Sequence, residues 1–312
     1  MSNKLNRQYK DRVFRDIFGN KDRREYTLSL YNAVNGTAYT DPELIELNTL
    51  EDFIYMNMKN DVSFLVDAQL ELYEHQSTYN PNMPFRCLQY LSELYERYLE
   101  EKDQKDWLYT DILVHLPTPK CVVFYNGERE TEDKFELHLK EAFSVPEKAC
   151  MDLTVLVFNC NEGRNQELME HCAELKDYAR FVALSRRNLK GLKRSVQAND
   201  LDKENAVLQA IDEMIRSEGP LSEYFRIRRN EVCKLFLEDY NEEAAMKAIG
   251  DLKEQVGYQK GHEEGREEGR KAGHAEILEI IRLIKAGATD EDIVNRLHCS
   301  LTDIQEARTA IA

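Results

Sequence analysis

The feature that most constrains the fold is a run of alternating residues that turns back on itself between positions 61 and 76. Apolar side chains alternate along residues 62–66, and they return at Leu70 and Leu72 after the short polar break Asp67-Ala68-Gln69. Alternation with a period of two is typical of a strand that buries one face. Two such strands separated by so few residues predict an antiparallel hairpin.

The residues around the hairpin predict an α/β plan. Apolar residues at spacings of three and four indicate helices, and short continuous apolar runs indicate strands. The predicted elements are a helix over 8–34 interrupted at Gly19-Asn20, a helix over about 84–100 that begins at Pro84, strands at 121–125 and 153–158, and helices from about 165 onward. Residues 41–60 match neither pattern. The order predicts a mixed sheet flanked by helices, followed by an all-helical C-terminal region.

A glycine ladder opens the C-terminal tail. The sequence GYQKGHEEGREEGRKAG has a glycine at every fourth position: Gly257, Gly261, Gly265, Gly269 and Gly273. Each glycine costs a helix about 1 kcal/mol relative to alanine, and the charged residues between them exclude a membrane interface. Two interpretations stay open. One is a charged spacer helix, which we favour, and the other is a seam through which two copies form a homodimer.

Beyond the ladder, the pattern predicts three short helices. Residues 277–285 are amphipathic and end near Gly287, and Thr289 and Ser300 each begin a helix with an acidic residue three positions later. The last two helices have the outline of a helix-turn-helix. The second of them carries two acids against one arginine, which is unfavourable beside phosphates. A small packing module is therefore favoured over a DNA-reading one.

Composition limits the class of protein and its compartment. The 312 residues suggest about two domains, and no run approaches the ~18 apolar residues that a membrane span needs. The start of the chain is polar and charged, without the apolar segment of a secretion signal. The seven cysteines are widely spaced and form no CxxC pair, which predicts free thiols and a cytoplasmic location.

Charge is unevenly distributed along the chain. The net charge of −16 argues against a surface that binds polyanions everywhere, but residues 1–30 hold eight Lys or Arg against four acids. Residues 180–195 hold six Lys or Arg and no acid. A local basic stripe is enough for a nucleic-acid footprint. Solvated helix faces explain either run equally well when each is taken alone.

The hairpin predicts a site at its open end. If Asp67-Ala68 is a two-residue turn, Asp61 and Glu74 stand directly opposite, with Cβ atoms about 5 Å apart. Like charges so placed repel unless a cation lies between them or one is protonated, and two carboxylates suit Mg²⁺. Alternation puts Gln76 on the face of Glu74 and turns the His75 side chain away. A longer turn would separate the acids, and solvated strand ends are the simpler alternative.

Several segments together resemble a known family. They are DRVFRDIFGN, YNAVNGTAY, KNDVSFLVD, EHQSTYNPNMPFRCLQYL, PTPKCVVFYNGE and LVFNCNEGRN. With Asp-x₁₂-Glu-x-Gln across a strand pair, the chain resembles the PD-(D/E)XK nuclease superfamily and, within it, the recombination-promoting nuclease (putative transposase) family. The resemblance covers essentially the whole chain and is most specific at 59–90 and 117–128. It implies a restriction-endonuclease-like fold.

The resemblance also implies roles for individual residues. Asp61 and Glu74 would be metal ligands, with the main-chain carbonyl of His75 as a third, and Gln76 would position water where many relatives have lysine. The implied cofactor is a divalent cation, Mg²⁺ first and Mn²⁺ or Ca²⁺ as alternatives. The residues expected to contact the substrate phosphate or the attacking water from the next helix are Arg86, Gln89 and Tyr90.

The implied function is that of a metal-dependent DNA endonuclease that promotes recombination or transposon-related DNA cleavage. One alternative is a catalytically degenerate nuclease scaffold that binds DNA or protein, and another is a hydrolase of branched DNA or RNA. The expected organisation is a nuclease core over 1–185, a helical region over 186–255, the glycine-ladder helix over 256–275 and a small helical tail over 276–312. The C-terminal helices are the expected route to a homodimer.

Overall fold

A computed structural model describes residues 12–47, 61–66, 68–192, 199–240, 258, 265–266, 273 and 275–311. The chain divides into two compact units, Met1–Ala244 and Ala245–Ala312. All seven cysteines are free thiols. Within the described ranges, no helix combines the length and the apolar character that crossing a membrane requires.

The first unit is built on one six-stranded mixed sheet, as predicted for its class. The strands are β1 (Glu46–Leu47), β2 (Val62–Val66), β3 (Gln69–Gln76), β4 (Thr118–Tyr125), β5 (Lys134–His138) and β6 (Thr154–Asn159). Their order across the sheet is β1-β2-β3-β4-β6-β5. The neighbours β3, β4 and β6 are parallel, whereas β1, β2 and β5 join antiparallel. The sequence patterns did not predict β1 or β5.

The hairpin has the predicted register. Val66 pairs with Gln69, and Val62 pairs with Tyr73. The parallel strand β4 begins three residues earlier than predicted and includes Pro119. Proline lacks the N–H that a central strand needs. It is tolerated here because β4 pairs with β6 only from Cys121 onward, so Pro119 has a single neighbouring strand.

The first predicted helix is two helices. They are α1 (Arg12–Phe18) and α2 (Arg24–Asn35), separated by a short 3₁₀ turn, and residues 8–11 of the predicted helix lie outside the described residues. The break falls at Gly19-Asn20, as predicted. A Cβ atom at Gly19 would lie 2.9 Å from the carbonyl oxygen of Arg15 and 3.1 Å from a methyl group of Val62, so α1 meets the sheet closely there.

The remaining helices of this unit follow the sheet. They are α3 (Met83–Glu101), α4 (Gln166–His171), α5 (Ala173–Leu192), α6 (Asp200–Arg216), α7 (Ser222–Ile227) and a further helix whose described part covers 229–240. All described elements after residue 165 are helical, as predicted. Pro84 lies in the first turn of α3, where a missing N–H costs nothing.

The two faces of the sheet bury two different cores. Alternate residues such as Phe64, Tyr73 and Phe124 face one core, which also contains apolar residues of α1, α2, α5, α6 and α7. The other alternate residues, such as Leu72 and Val123, face a smaller core with α3. The alternation in β3 therefore decides which polar residues lie beneath α3 and which lie beneath α1.

The second unit has a small core of its own. Its helices cover 275–285, Asp290–Leu297 and Leu301–Ile311, and they bury Ile280, Ile293 and Ile304. The predicted caps are present, since the backbone N–H of Asp292 donates to the Thr289 hydroxyl and that of Asp303 donates to Ser300. Of the glycine ladder, Gly257, Gly261 and Gly269 lie outside the described residues, so the spacer helix and the homodimer seam stay predictions.

Glu71 of β3 is a buried carboxyl group on the α2 face of the sheet, fully shielded from solvent. Burial raises the pKa of Glu71 to about 7, and the Lys120 ammonium, with the Tyr73 and Asn35 side chains, opposes that rise. The folded protein thus holds this proton more tightly than the unfolded chain does.

We expect the free energy of unfolding to fall as pH rises from about 4.5 through about 7, because Glu71 ionises in the unfolded chain first. Over that range the loss would reach about 3 kcal/mol. Glu71→Gln keeps the neutral form, so it should be more stable than the wild type near pH 8 and similar near pH 5.

Urea unfolding across this pH range measures the effect. Glu170→Gln, which removes an exposed carboxylate from α4, is the matched control. A Glu71→Gln curve parallel to that of the wild type at every pH would contradict the assignment.

Candidate active site

The open end of the hairpin brings Asp61 and Glu74 together. The backbone N–H of Asp61 donates to Glu74 Oε1 at 2.9 Å, and the backbone N–H of His75 donates to Asp61 Oδ2 at 2.8 Å. Each carboxylate therefore accepts a hydrogen bond from the backbone of the opposite strand. Asp61 has the same alternation as Leu65, and Glu74 the same as Leu72, so both carboxyl groups lie on the α3 side of the sheet.

Both carboxyl groups are almost completely buried, each with 1% of its surface exposed. Burying an ionised carboxylate is costly unless hydrogen bonds or opposite charge compensate it. The backbone donors supply part of this compensation. They supply no full charge, so a positive charge close to the two acids would stabilise their ionised forms further.

Arg86 supplies one positive charge. From the first turn of α3 its guanidinium donates to Glu74 Oε2 at 3.1 Å, and about a quarter of its side chain is exposed. The hydroxyl of Tyr90, one turn further along the helix, accepts from the same guanidinium at 2.7 Å. Tyr90 thereby holds Arg86 over the carboxylates.

This arrangement raises the pKa values of Arg86 and Tyr90. Burial disfavours the charged guanidinium, but the carboxylate of Glu74, with Tyr90 and then Asp61, raises the pKa of Arg86 above its usual value. Burial and the neighbouring Glu74 carboxylate raise the pKa of Tyr90 as well. Tyr90 is thus a neutral hydroxyl near pH 7, able to accept from Arg86 and donate elsewhere.

Gln76 and His75 lie on opposite faces of β3, as the alternation predicts. Gln76 is buried on the Glu74 face at the end of the strand. The His75 ring is buried on the other face, where its Nε2 lies 3.1 Å from the Tyr178 hydroxyl and its centroid 5.2 Å from that of Phe14. The imidazole therefore cannot reach the carboxylates.

The carbonyl of His75 faces a different direction from its ring. Gln76 accepts a hydrogen bond from the backbone N–H of Asn126 at 3.0 Å, so its carbonyl points toward β4. Successive backbone groups of a strand point to alternate neighbours. The carbonyl of His75 therefore points to the β2 side, where its N–H meets Asp61.

The donor atoms of these groups are of the chemical class that suits a hard divalent cation. Two carboxylates and one main-chain carbonyl are all oxygen donors, the class that Mg²⁺ and Ca²⁺ prefer. In the described part of the chain, no group of three or more His, Cys, Asp or Glu side chains could hold a metal. A cation here would accordingly depend on the carbonyl, on water and on substrate oxygens to complete its coordination.

Gln89, a predicted site residue, lies outside the hydrogen bonds described above. It lies on α3 between Arg86 and Tyr90 in sequence and is partly exposed. Among the described residues, no hydrogen bond or ion pair joins Gln89 to the carboxylates. Its predicted contact with substrate therefore stays a prediction.

The two basic runs are largely paired with acids where the structure describes them. In the run at 180–195, Arg187 lies 3.4 Å from Glu162 and Lys190 lies 2.6 Å from Glu128. In the N-terminal run, the paired residues are Arg12 with Asp239, Arg23 with Asp16, and Arg24 with Glu43. Such pairs reduce the positive potential available to a phosphate backbone.

The structure adds a cavity that the sequence analysis missed. Its volume is about 560 Å³, and its lining includes Tyr79, Arg129, Phe135 and Arg164. Tyr79, Arg129 and Arg164 follow the ends of β3, β4 and β6, and Phe135 lies in β5, so the lining residues are far apart in sequence. The only local signals were the loop after β3 and the Asn126-Gly127 turn after β4, and neither indicates a cavity.

A comparison with protein-family models identifies a family that the chain matches. The model described as "Putative transposase, YhgA-like" matches residues 8–194, a span that contains every strand of the sheet and all the predicted site residues. No curated protein and no solved structure matches the chain.

We expect Arg86→Met to lower the free energy of unfolding by about 1–3 kcal/mol, because it leaves the buried Glu74 carboxylate without its cation. Glu74→Gln combined with Arg86→Met should recover part of this loss. Chemical denaturation of the single and double variants measures the coupling between the two side chains.

Arg97→Met, which truncates another arginine of α3, is the matched control, with an expected change below about 0.5 kcal/mol. If Arg86→Met costs no more than Arg97→Met, the ion pair does not compensate the buried carboxylates.

Proposed function

The chain belongs to the family of YhgA-like putative transposases, and on that premise we propose that it is a metal-dependent DNA endonuclease. The observation that carries the proposal is the pair of buried carboxylates, Asp61 and Glu74, joined across the end of one hairpin, with the Arg86 guanidinium bound to Glu74. Two facing buried acids cost a fold free energy unless positive charge compensates them. A nuclease gains a binding site for a divalent cation.

The architecture supports a restriction-endonuclease-like fold of the PD-(D/E)XK type. An antiparallel hairpin carries both acids, and a helix follows it directly. The second hairpin strand, β3, is followed across the sheet by the parallel strands β4 and β6. The acids lie near the carboxyl end of β3, which is the edge where open α/β sheets bind their ligands. The position of Asp-x₁₂-Glu-x-Gln across this strand pair supports the proposed superfamily.

The proposed roles of the residues follow from their positions. Asp61, Glu74 and the His75 carbonyl would hold the cation, preferably Mg²⁺, with Mn²⁺ or Ca²⁺ as alternatives. A divalent cation there supplies Lewis-acid chemistry toward phosphate oxygens and lowers the pKa of water. Gln76 would orient the attacking water through its amide, since it shares the Glu74 face.

Arg86 would act on the phosphate. Its guanidinium donates to Glu74 in the structure, and the same donors can bind a phosphate oxygen once Glu74 holds the cation. Tyr90 keeps the guanidinium in place through its hydroxyl. Charge that develops on the phosphate oxygens would then be stabilised by a group already fixed in a buried site. Gln89 would add a neutral donor from the same helix.

We place this activity in recombination or transposon-related DNA cleavage, in the cytoplasm, with a homodimer formed through the C-terminal helices. The nuclease core would occupy residues 1–185, followed by the helical region 186–255, the glycine-ladder helix 256–275 and the tail 276–312. These assignments rest on the family and on the sequence patterns.

A second function is favoured by one residue. Gln76 stands where many superfamily members have lysine. This site therefore lacks the lysine ammonium group that would orient the attacking water and stabilise the charge on the phosphate. A nuclease scaffold without catalysis, serving as a DNA-binding or protein-interaction module, would show the same fold and the same hairpin.

In a supercoiled-plasmid assay with Mg²⁺ or Mn²⁺, we expect the wild type to produce nicked or linear DNA. Asp61→Asn and Glu74→Gln should each lower the rate at least about 100-fold, because the cation contributes several kcal/mol to transition-state stabilisation. Glu170→Gln is the control for loss of a carboxylate elsewhere. Cleavage by both site variants at the wild-type rate would place the active site elsewhere.

The same assay separates the two functions. A wild type that is inert in every metal, beside a Gln76→Lys variant that cuts, would favour the degenerate scaffold. If both proteins bind DNA and neither cuts it, the proposal that the chain is a nuclease is wrong.

Isothermal titration calorimetry tests the cation directly. We expect Mg²⁺ to bind the wild type and to raise its free energy of unfolding by about 1.4 kcal/mol at ten times the dissociation constant. Asp61→Asn and Glu74→Gln should lose this binding, whereas Glu170→Gln should keep it. Equal titrations by all four proteins would show that the cation binds elsewhere.

A further inference from the structure

The cavity lies at the same end of the sheet as the candidate active site. Tyr79 follows Gln76 by three residues, and Arg129 follows Asn126 by three. Gln76 and Tyr125 are paired on the parallel strands β3 and β4, so the loops that leave these strands start side by side. Tyr79 and Phe135 pack against the α3 core, which is the face that carries Glu74 and Gln76.

The loops that form the cavity are held by specific contacts. A Cβ atom at Gly127 would lie 2.4 Å from the carbonyl oxygen of Ser77, so only glycine allows the loops after β3 and β4 to approach this closely. The Tyr125 hydroxyl donates to the carbonyl of Arg129 at 3.0 Å, and Asn159 of β6 donates to the Thr131 hydroxyl at 3.0 Å. The cavity is therefore a built feature of the three parallel strand ends.

Flat groups dominate one side of the cavity. The Arg129 guanidinium lies 4.1 Å above the centroid of the Tyr79 ring, and the Tyr79 and Phe135 rings are stacked with centroids 6.3 Å apart. Aromatic rings and arginine planes are the surfaces on which unpaired bases stack in single-strand binding sites. In the described residues Arg129 forms no ion pair, and its side chain is exposed, so the guanidinium face that points away from Tyr79 is available to a ligand.

The charged side chains that line the cavity disfavour the binding of a phosphate group by itself. Two arginines, Arg129 and Arg164, are balanced by two glutamates, Glu130 and Glu132. Arg164 is further tied to Asp133 at 3.1 Å and to the carbonyl of Thr131. Carboxylates repel phosphate, but they accept hydrogen bonds from the amino groups of cytosine, adenine or guanine. The lining therefore matches a stackable ring that bears amino groups.

We propose that this cavity binds one unpaired nucleobase of the strand whose phosphate lies at Asp61 and Glu74. The proposal rests on the proposed nuclease function and specifies its substrate class: DNA with an unpaired base beside the cleaved bond, as in a bulge, a flap or a branch. The volume of about 560 Å³ is within the roughly 300–1,000 Å³ typical of small-molecule sites, enough for a base with its sugar.

An unpaired base is favoured over a paired one for a physical reason. A base in a duplex is stacked on both sides and cannot enter a cavity without being extruded, which costs a few kcal/mol. That cost is least where pairing is already absent. A cavity at the same end of the sheet as the active site thus converts local loss of pairing into a preference for where the strand is cut.

The test uses the full chain with Glu74→Gln, so that bound DNA is not cut. Fluorescence titrations compare a duplex that carries one unpaired 2-aminopurine with the same duplex in which 2-aminopurine is paired. We expect the unpaired probe to bind more tightly and its emission to fall on binding, because the base stacks on the Tyr79–Arg129 surface.

Variants of the cavity supply the residue-level readout. Tyr79→Ala and Arg129→Ala should each weaken binding of the unpaired probe at least about fivefold and abolish the quench. Tyr79→Phe, which keeps the ring, should retain both. Tyr109→Ala, which removes an aromatic side chain that is 88% exposed and outside the cavity, is the matched control. Far-ultraviolet circular dichroism verifies that each variant is folded.

Each outcome bears on one proposal or the other. Quenching that is lost only in the cavity variants supports the base site, even if the plasmid assay shows no cleavage and the nuclease proposal falls. Unchanged binding and quenching in Tyr79→Ala and Arg129→Ala overturns the base site, even if the wild type cuts plasmid DNA. Free adenosine monophosphate that binds as tightly as the bulged duplex would also overturn it, because the cavity would then serve a free nucleotide.

Discussion

The reciprocal hydrogen bonding of Asp61 and Glu74 is the constraint on which the candidate site depends. Each carboxylate accepts from the backbone of the opposite strand, so the two acids close the open end of the hairpin while they remain buried. Hydrogen bonds orient these groups, and the Arg86 guanidinium brings positive charge to Glu74. The divalent cation that we propose at this place would add more positive charge beside the two buried acids.

The sheet topology carries that site and the cavity to the same edge. The strands β3, β4 and β6 run in parallel, so the segments that leave them meet at one end. The hairpin acids lie on the α3 face near this end, and the open cavity is lined by residues of the loops after the strands, of which Tyr79 packs against the same α3 core. A strand of nucleic acid that follows this edge would place a phosphate at one position and a base at the other.

Local patterns predicted the parts of this arrangement that depend on nearby residues. The register of the hairpin, the break at Gly19-Asn20 and the start of α3 near Pro84 all follow from turn and helix rules acting over a few positions. Strand β5 was missed because its pattern is short, half-exposed and stabilised by pairing with β6. The helix predicted over 8–34 with an interruption at Gly19-Asn20 is two helices, because the chain turns at a close contact with the sheet there.

The sequence by itself determined that the two carboxylates face each other if Asp67-Ala68 is a two-residue turn, because a period of two then leaves one register, and the hairpin has that register. The tertiary structure alone decided what surrounds them. Arg86 reaches Glu74 only when α3 packs on that face, and Tyr79 meets Arg129 only when β3 and β4 align in parallel. Parallel pairing joins residues separated by dozens of positions, so it depends on the burial of both faces of the sheet and on no local pattern.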